Sequence, residues 1–165
     1  MLDQLQGETQ DALENLRDLA RGIYPPLLAD KGLVAALESQ ARKSPLPVMV
    51  EADGVARYAQ EQEAAVYFCA LEALQNVAKY AGATRVAVRL REGDGHVTFE
   101  VADDGVGFDP KTTAYGTGLQ GMADRLAALS GELVVTSSPG GGTTVTGSVP
   151  VRAPDAGHLG ALRPS

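Results

Sequence analysis

Glu72, Asn76 and Lys79 put a carboxylate, an amide and an ammonium at spacings of four and three. On an α-helix, at about 100° per residue, they share an arc of about 60°. Such a stripe could hold a metal ion and a phosphate. The amide oxygen of Asn76 is a hard ligand suited to magnesium, whereas asparagine is otherwise a mediocre helix former. A solvated helix face carrying an acid and a base would have the same pattern. Farther along, Val101-Ala-Asp103-Asp-Gly105-Val-Gly107-Phe-Asp-Pro110 leads through a polar connector to Gly116-Thr-Gly118-Leu-Gln-Gly-Met122. The first half predicts a strand over Val97 to Ala102 and then a tight turn; the second predicts a flexible lead into a helix beginning near Leu119. Glycines there let backbone N–H groups approach an anion, and a helix start adds partial positive charge. A nucleotide site would use both features, although a lone Asp-x-Gly-x-Gly also serves as an ordinary strand-ending turn.

The elements around these residues follow from periodicity. Gln60 to about Ala81 is the longest helical run, with Val66, Ala70, Leu74, Val77 and Ala81 opposite the polar stripe. Before it, Asp30 is the expected N-cap of a helix to about Arg42, with Leu33, Val34, Ala36, Leu37 and Ala41 as its apolar set. Lys43-Ser-Pro-Leu-Pro47 closes that helix, and Pro47 to Ala52 reads as a strand ending in an Asp53-Gly54 turn. After the long helix, Thr84 to Arg91 and His96 to Ala102 alternate apolar and polar residues and predict a half-buried hairpin across Glu92-Gly-Asp-Gly95. Leu119, Met122, Ala123, Leu126 and Leu129 give the next helix its inward face, with Gly131 as its stop. Leu133 to Ser137 and Thr143 to Val149 form a last hairpin across Pro139-Gly-Gly-Gly142. The resulting order predicts an α+β fold, a two-layer sandwich of helices on one face of a mixed, mainly antiparallel sheet. A Rossmann unit does not fit, and no Walker-type Gly-x-x-x-x-Gly-Lys-Ser/Thr occurs.

The two ends differ from this middle. Leu2, Leu5, Thr9, Ala12, Leu16, Leu19 and Ile23 form a heptad seam, so residues 1–26 are expected to be a helix needing a partner, ended by a hinge at Pro25-Pro26. Residues 27–150 hold the sandwich, and residues 151–165, rich in Pro, Gly and Ala, read as a disordered tail. The formal net charge of −7 argues against binding nucleic acid or an acidic membrane, so local groups must hold any phosphate. Cys69 is a single cysteine, which excludes an internal disulfide and fits a reducing, cytoplasmic compartment. No apolar run approaches the roughly 20 residues of a membrane helix, and no membrane contact is expected.

Taken together, Glu72-Ala-Leu-Gln-Asn76-Val-Ala-Lys79-Tyr80-Ala81, Asp103-Asp-Gly105-Val-Gly107 and Gly116-Thr-Gly118-Leu-Gln-Gly121-Met resemble, in order and spacing, the N, G1 and G2 boxes of the GHKL ATPase superfamily. That superfamily includes the ATP-binding domain of sensor histidine kinases. Leu16 to Leu37, with its Ile-Tyr-Pro-Pro-Leu-Leu core, is similar to the second dimerisation helix and hinge of the histidine kinases that pair with NarL-type response regulators. The resemblance implies a homodimeric parent kinase that binds ATP and Mg2+, phosphorylates a histidine and passes the phosphoryl group to a response regulator. By the same resemblance Asn76 would ligate Mg2+, Glu72 would lie near the metal and the attacking group, and Lys79 would reach the phosphates. Asp103 would accept a hydrogen bond from the adenine amino group, with Gly105 and Gly107 admitting base and sugar. Pro110 to Gly116 would form a short lid, Gly116, Thr117, Gly118 and Leu119 would close on the phosphates, and Thr143 would support the base pocket.

One departure matters. An acceptor histidine on a first dimerisation helix is missing, since the two histidines are His96, in a predicted hairpin, and His158, in the tail. The expectation is therefore a chain that binds Mg-ATP but does not phosphorylate itself, with the acceptor helix upstream of Met1. Two other classes stay open at this level: an anti-sigma-factor-type serine kinase, and a nucleotide-gated interaction module without catalysis.

Overall fold

The computed structural model describes residues 25–107 and 116–154. The heptad helix expected over residues 1–24, the connector 108–115 and the tail from 155 lie outside the described residues. In chain order the elements are α1 (Pro26–Lys31), α2 (Leu33–Arg42), β1 (Val48–Asp53), α3 (Gln60–Asn76), a π-helical turn (Val77–Ala81), β2 (Val86–Gly93), β3 (His96–Asp103), α4 (Gly116–Ala127), β4 (Glu132–Ser137) and β5 (Thr143–Pro150). The five strands form one sheet in the order β1-β2-β3-β5-β4. β1 runs parallel to β2 and the other pairs are antiparallel. This is the two-layer α+β sandwich on a mixed, mainly antiparallel sheet.

Alternation sets the layers. Val86, Val88, Leu90, Val97, Phe99, Val101, Val145 and Val149 all point to the helix side and are buried. There they meet Leu37, Val66, Ala70, Met122 and Leu126 from α2, α3 and α4. The other side of the sheet is polar, with Arg89 of β2 paired to Glu51 of β1 and Glu100 of β3. α3 lies across β3 and β5, flanked by α2 over β1 and α4 over β4. Tyr67 and Leu71 are therefore as buried as Val66 and Ala70. The single apolar side expected for this helix becomes an envelope because α2 covers a second flank, where Gln40 of α2 donates to the Tyr67 hydroxyl at 3.1 Å.

Several boundaries differ from expectation, each for a local reason. Pro26, expected as part of a hinge, opens α1, where its ring supplies a helical φ and its missing N–H costs nothing. Asp30 consequently lies inside α1 and is not the N-cap of α2, which is Gly32 at φ 91°. α4 begins at Gly116 and not near Leu119. It ends in a Schellman pair, with Gly131 N–H bonded to Leu126 O at 2.7 Å and Ser130 N–H to Ala127 O at 3.0 Å. The left-handed residue there is Ser130, at φ 63°, not Gly131. Gly131 serves close approach instead: a Cβ would collide with the carbonyl oxygen of Ser148 on β5. The β2–β3 hairpin closes through Asp94 and Gly95, both at positive φ, which matches a two-residue type I′ turn. Past β5 the backbone still pairs, with Val151 N–H to Gly95 O and Ala59 N–H to Arg152 O, each at 2.8 Å.

Candidate nucleotide site

The G1 turn is built at the end of the central strand. Asp103 has the same parity as Val97, Phe99 and Val101, so its side chain belongs to the layer between sheet and helices. Its neighbours across the ladder are Val86 on β2 and Thr143 on β5. The structure thus brings together two residues predicted for the base pocket from positions far apart in sequence. One carboxylate oxygen of Asp103, Oδ1, accepts from the N–H of Gly105 at 2.8 Å and closes the turn. Among the described residues the second oxygen has no hydrogen-bond partner. Thr143 is buried, and its hydroxyl lies 2.8 Å from that of Ser137, which also bonds the carbonyl of Gly142 at 3.0 Å.

Gly105 is buried, and Gly107 stands at φ 65°. A Cβ on Gly107 would collide with the carbonyl oxygen of Ser138, and one on Gly142, at φ 74°, with that of Asp103. The glycines of the G1 turn and of the β4–β5 hairpin therefore allow two backbones to interlock. A bond from Gly140 N–H to Val106 O, at 2.6 Å, holds them together. Gly107 has a packing function that the expected role in admitting base and sugar did not include.

The helix stripe is only partly retained. Glu72 and Asn76 lie one turn apart on α3 and are both half-buried, a carboxylate and an amide oxygen on one ledge. After Asn76 the winding widens to a π-helical turn through Val77–Ala81, ending at Gly82 in the left-handed region. Lys79 is exposed. Since a π turn carries more residues than an α turn, Lys79 rotates out of the 60° arc computed for a regular helix. Gly116, Thr117, Gly118 and Leu119 form the first turn of α4, with Leu119 half-buried. The rest of the expected lid, residues 110–115, lies outside the described residues.

The residue that sequence reasoning passed over is Asp104. Its carboxylate accepts from Thr84 N–H at 2.8 Å, from Arg85 N–H at 3.1 Å and from the Thr84 hydroxyl, and Arg85 Nε lies 3.8 Å away. The Thr84 side-chain and backbone bonds hold the Asp104 carboxyl down at about 2. The available signal was strand parity, which sends the second of two adjacent aspartates away from the pocket. His96 is exposed, its ring Nδ1 3.0 Å from Asp94 O. Among the described residues no three His, Cys, Asp or Glu side chains gather as a metal cluster. No helix among them is long and apolar enough to cross a membrane.

Comparison with known proteins agrees with this geometry. Residues 61–153, more than half of the chain, match the model of the family described as histidine kinase-, DNA gyrase B-, and HSP90-like ATPase. The sensor histidine kinase MctS of Rhizobium johnstonii is 34% identical over 86% of this chain and 32% of its own length. The signal transduction histidine-protein kinase/phosphatase DegS of Brevibacillus brevis is 30% identical over 86% of this chain and 42% of its own length. The chain thus spans well under half of these relatives. Among solved structures, the Erythrobacter litoralis blue-light activated histidine kinase superposes with a TM-score of 0.57 at 24% identity, over 91% of this chain and 49% of that one. The Acinetobacter baumannii histidine kinase AdeS does so with a TM-score of 0.53 at 11% identity, over 89% and 96%. These two likenesses bear on the fold. With an interlocked glycine turn at the end of the central strand and a polar ledge on the helix behind it, the chain belongs to the histidine kinase-, DNA gyrase B- and HSP90-like ATPase family.

Proposed function

We propose that this chain is the ATP-binding catalytic domain of a two-component sensor histidine kinase. It transfers the γ-phosphoryl group of ATP to a histidine outside the chain, from which the group passes to a NarL-type response regulator. The observation that carries this reading is the pairing of Asp103 with Thr143 on the inner face of the sheet, beside a helix that ends in Glu72 and Asn76. An adenine amino group donates to the second oxygen of Asp103, which the turn already holds in place. Buried Thr143 and half-buried Ser137 close the floor behind the base.

Glu72 and Asn76 fit a hard cation, because a carboxylate and an amide oxygen one helical turn apart offer the oxygen donors that magnesium takes alongside phosphate and water. Mg2+ bound there would neutralise phosphate charge, which matters in a chain with a net charge of −7. Asn76 holds the metal side of the nucleotide and Glu72 stands beside the attacking group. Lys79, exposed on the π turn, reaches in from the rim to the phosphates. Gly116, Thr117, Gly118 and Leu119 open α4, where unpaired N–H groups favour an anion. Positioning is the main part of such a phosphoryl transfer, so rigid placement of both ends of the nucleotide is what the fold contributes.

In this reading residues 1–26 form the second helix of a dimerisation hairpin with its hinge, residues 27–150 the catalytic domain and residues 151–165 a tail. The parent protein is a homodimer working in the cytoplasm. Incubation with labelled ATP and Mg2+ tests the assignment. The chain alone should remain unlabelled, and a dimerisation domain bearing its acceptor histidine, added in trans, should acquire an acid-labile phosphate. Label on a serine of a separate protein would point to a serine kinase, and binding without transfer to a nucleotide-gated module.

A further inference from the structure

We infer that Asp104 is a positioning residue for nucleotide binding: its carboxylate fastens the exit of the helix carrying Glu72 and Asn76 to the glycine turn carrying Asp103. The inference rests on the ATP reading of the site and adds a residue that does not touch the ligand. Between Asn76 and Val86 the backbone has left the α-helix and has not yet joined the sheet. It passes through the π turn, the left-handed Gly82 and a short bend before β2 begins. Such a stretch has few internal constraints, and its path depends on what its ends are tied to.

Asp104 supplies that tie. The Thr84 and Arg85 N–H groups, 2.8 and 3.1 Å from Oδ1, and the Thr84 hydroxyl on Oδ2 use both oxygens of one carboxylate. Val106 lies close to the same exit, since a Cβ on Gly82 would be in ordinary van der Waals contact with its Cγ1, at 3.7 Å. On the far side, the turn is already held to the β4–β5 hairpin through Val106 O and Gly140 N–H. Adjacent aspartates at the strand end thus face opposite ways: Asp103 toward the base, Asp104 toward the helix exit. A nucleotide spans both anchors at once, so its affinity depends on their separation.

Adenosine needs only the Asp103 end, whereas Mg-ATP needs both ends, and this difference provides the test. Affinities of wild type, Asp104→Ala, Asp104→Asn and Thr84→Val for Mg-ATP are measured by calorimetry and for adenosine by NMR titration, with thermal unfolding recorded in the absence of ligand. Asp104→Ala should weaken Mg-ATP roughly tenfold, with adenosine affected much less and unfolding still cooperative. Asp104→Asn, which keeps an oxygen to accept the two N–H groups, should restore most of the loss, and Thr84→Val should lie between. Amide exchange at Thr84 and Arg85 should accelerate in Asp104→Ala. Unchanged Mg-ATP affinity in Asp104→Ala, or equal losses for adenosine and Mg-ATP, would overturn the inference. Wild type that binds no Mg-ATP would instead overturn the ATP reading, and the exchange rates would still report whether the tie exists.

Discussion

Two adjacent carboxylates divide the labour of the site at the residue scale. Asp103 spends one oxygen on Gly105 N–H and presents the other inward, so replacing it removes both a turn bond and a charged acceptor. Asp103→Ala should lower ATP affinity by roughly 10- to 100-fold, equivalent to about 1.5–3 kcal/mol, in a calorimetric titration. Asp104 gives a pH signature of a different kind. Its carboxyl is depressed from 3.8 to about 2 by the bonds from Thr84 and Arg85. A depressed folded-state value means that the stabilisation is fully present above about 3.8 and is lost as pH falls through about 2. Acid titration of this carboxyl, followed by NMR, should therefore show its midpoint well below that of an ordinary aspartate, and Thr84→Val should move it upward.

At the scale of elements, the long helix α3 carries the ledge at one end and an ion-pair lock at the other. Glu63, 2% exposed, accepts from Arg57 Nε at 2.9 Å and from Tyr58 N–H at 3.2 Å. The same guanidinium donates to the carbonyls of Leu28, Ala29 and Asp30, so it caps α1 as well. Gly32 leaves room for it, since a Cβ there would meet Arg57 Cδ at 2.8 Å. Removing the carboxylate takes its acceptor from the buried Tyr58 N–H and one of several partners from the exposed Arg57 side chain. Glu63→Ala should cost about 2 kcal/mol in urea unfolding, mostly for the buried Tyr58 N–H that loses this acceptor. Helix α4 is held differently, by the Met122 and Leu126 side chains and by Arg125 stacked 3.5 Å over the Phe68 ring.

At the scale of the whole molecule, the sandwich buries groups that must stay neutral. Burial pushes the Cys69 thiol up from 9.0 to about 12 and the Tyr58 hydroxyl from 10.0 to about 12. Raised folded-state values mean that stability is intact below the unfolded values and declines as pH rises from about 9 toward 12. Denaturation midpoints should fall steadily over that window, and Cys69→Ala should flatten the first part of the decline. Much of this architecture was legible in the residues alone. Alternating Val86-Val88-Leu90 and Val97-Phe99-Val101 specify a hairpin with one buried face, because side chains on a strand alternate whatever lies beyond it. The three boxes likewise identify a family by their order, since each residue type meets a chemical demand that does not depend on its neighbours in space. What tertiary structure decided is who meets whom. Thr143 stands beside Asp103 because β5 pairs with β3, and α3 is wrapped on two flanks because α2 folds over it. The π turn after Asn76, the helical start at Pro26 and the left-handed Ser130 are backbone states that local propensity does not rank first. They persist because packing and long-range hydrogen bonds, such as those from Thr84 and Arg85 to Asp104, offset their local cost.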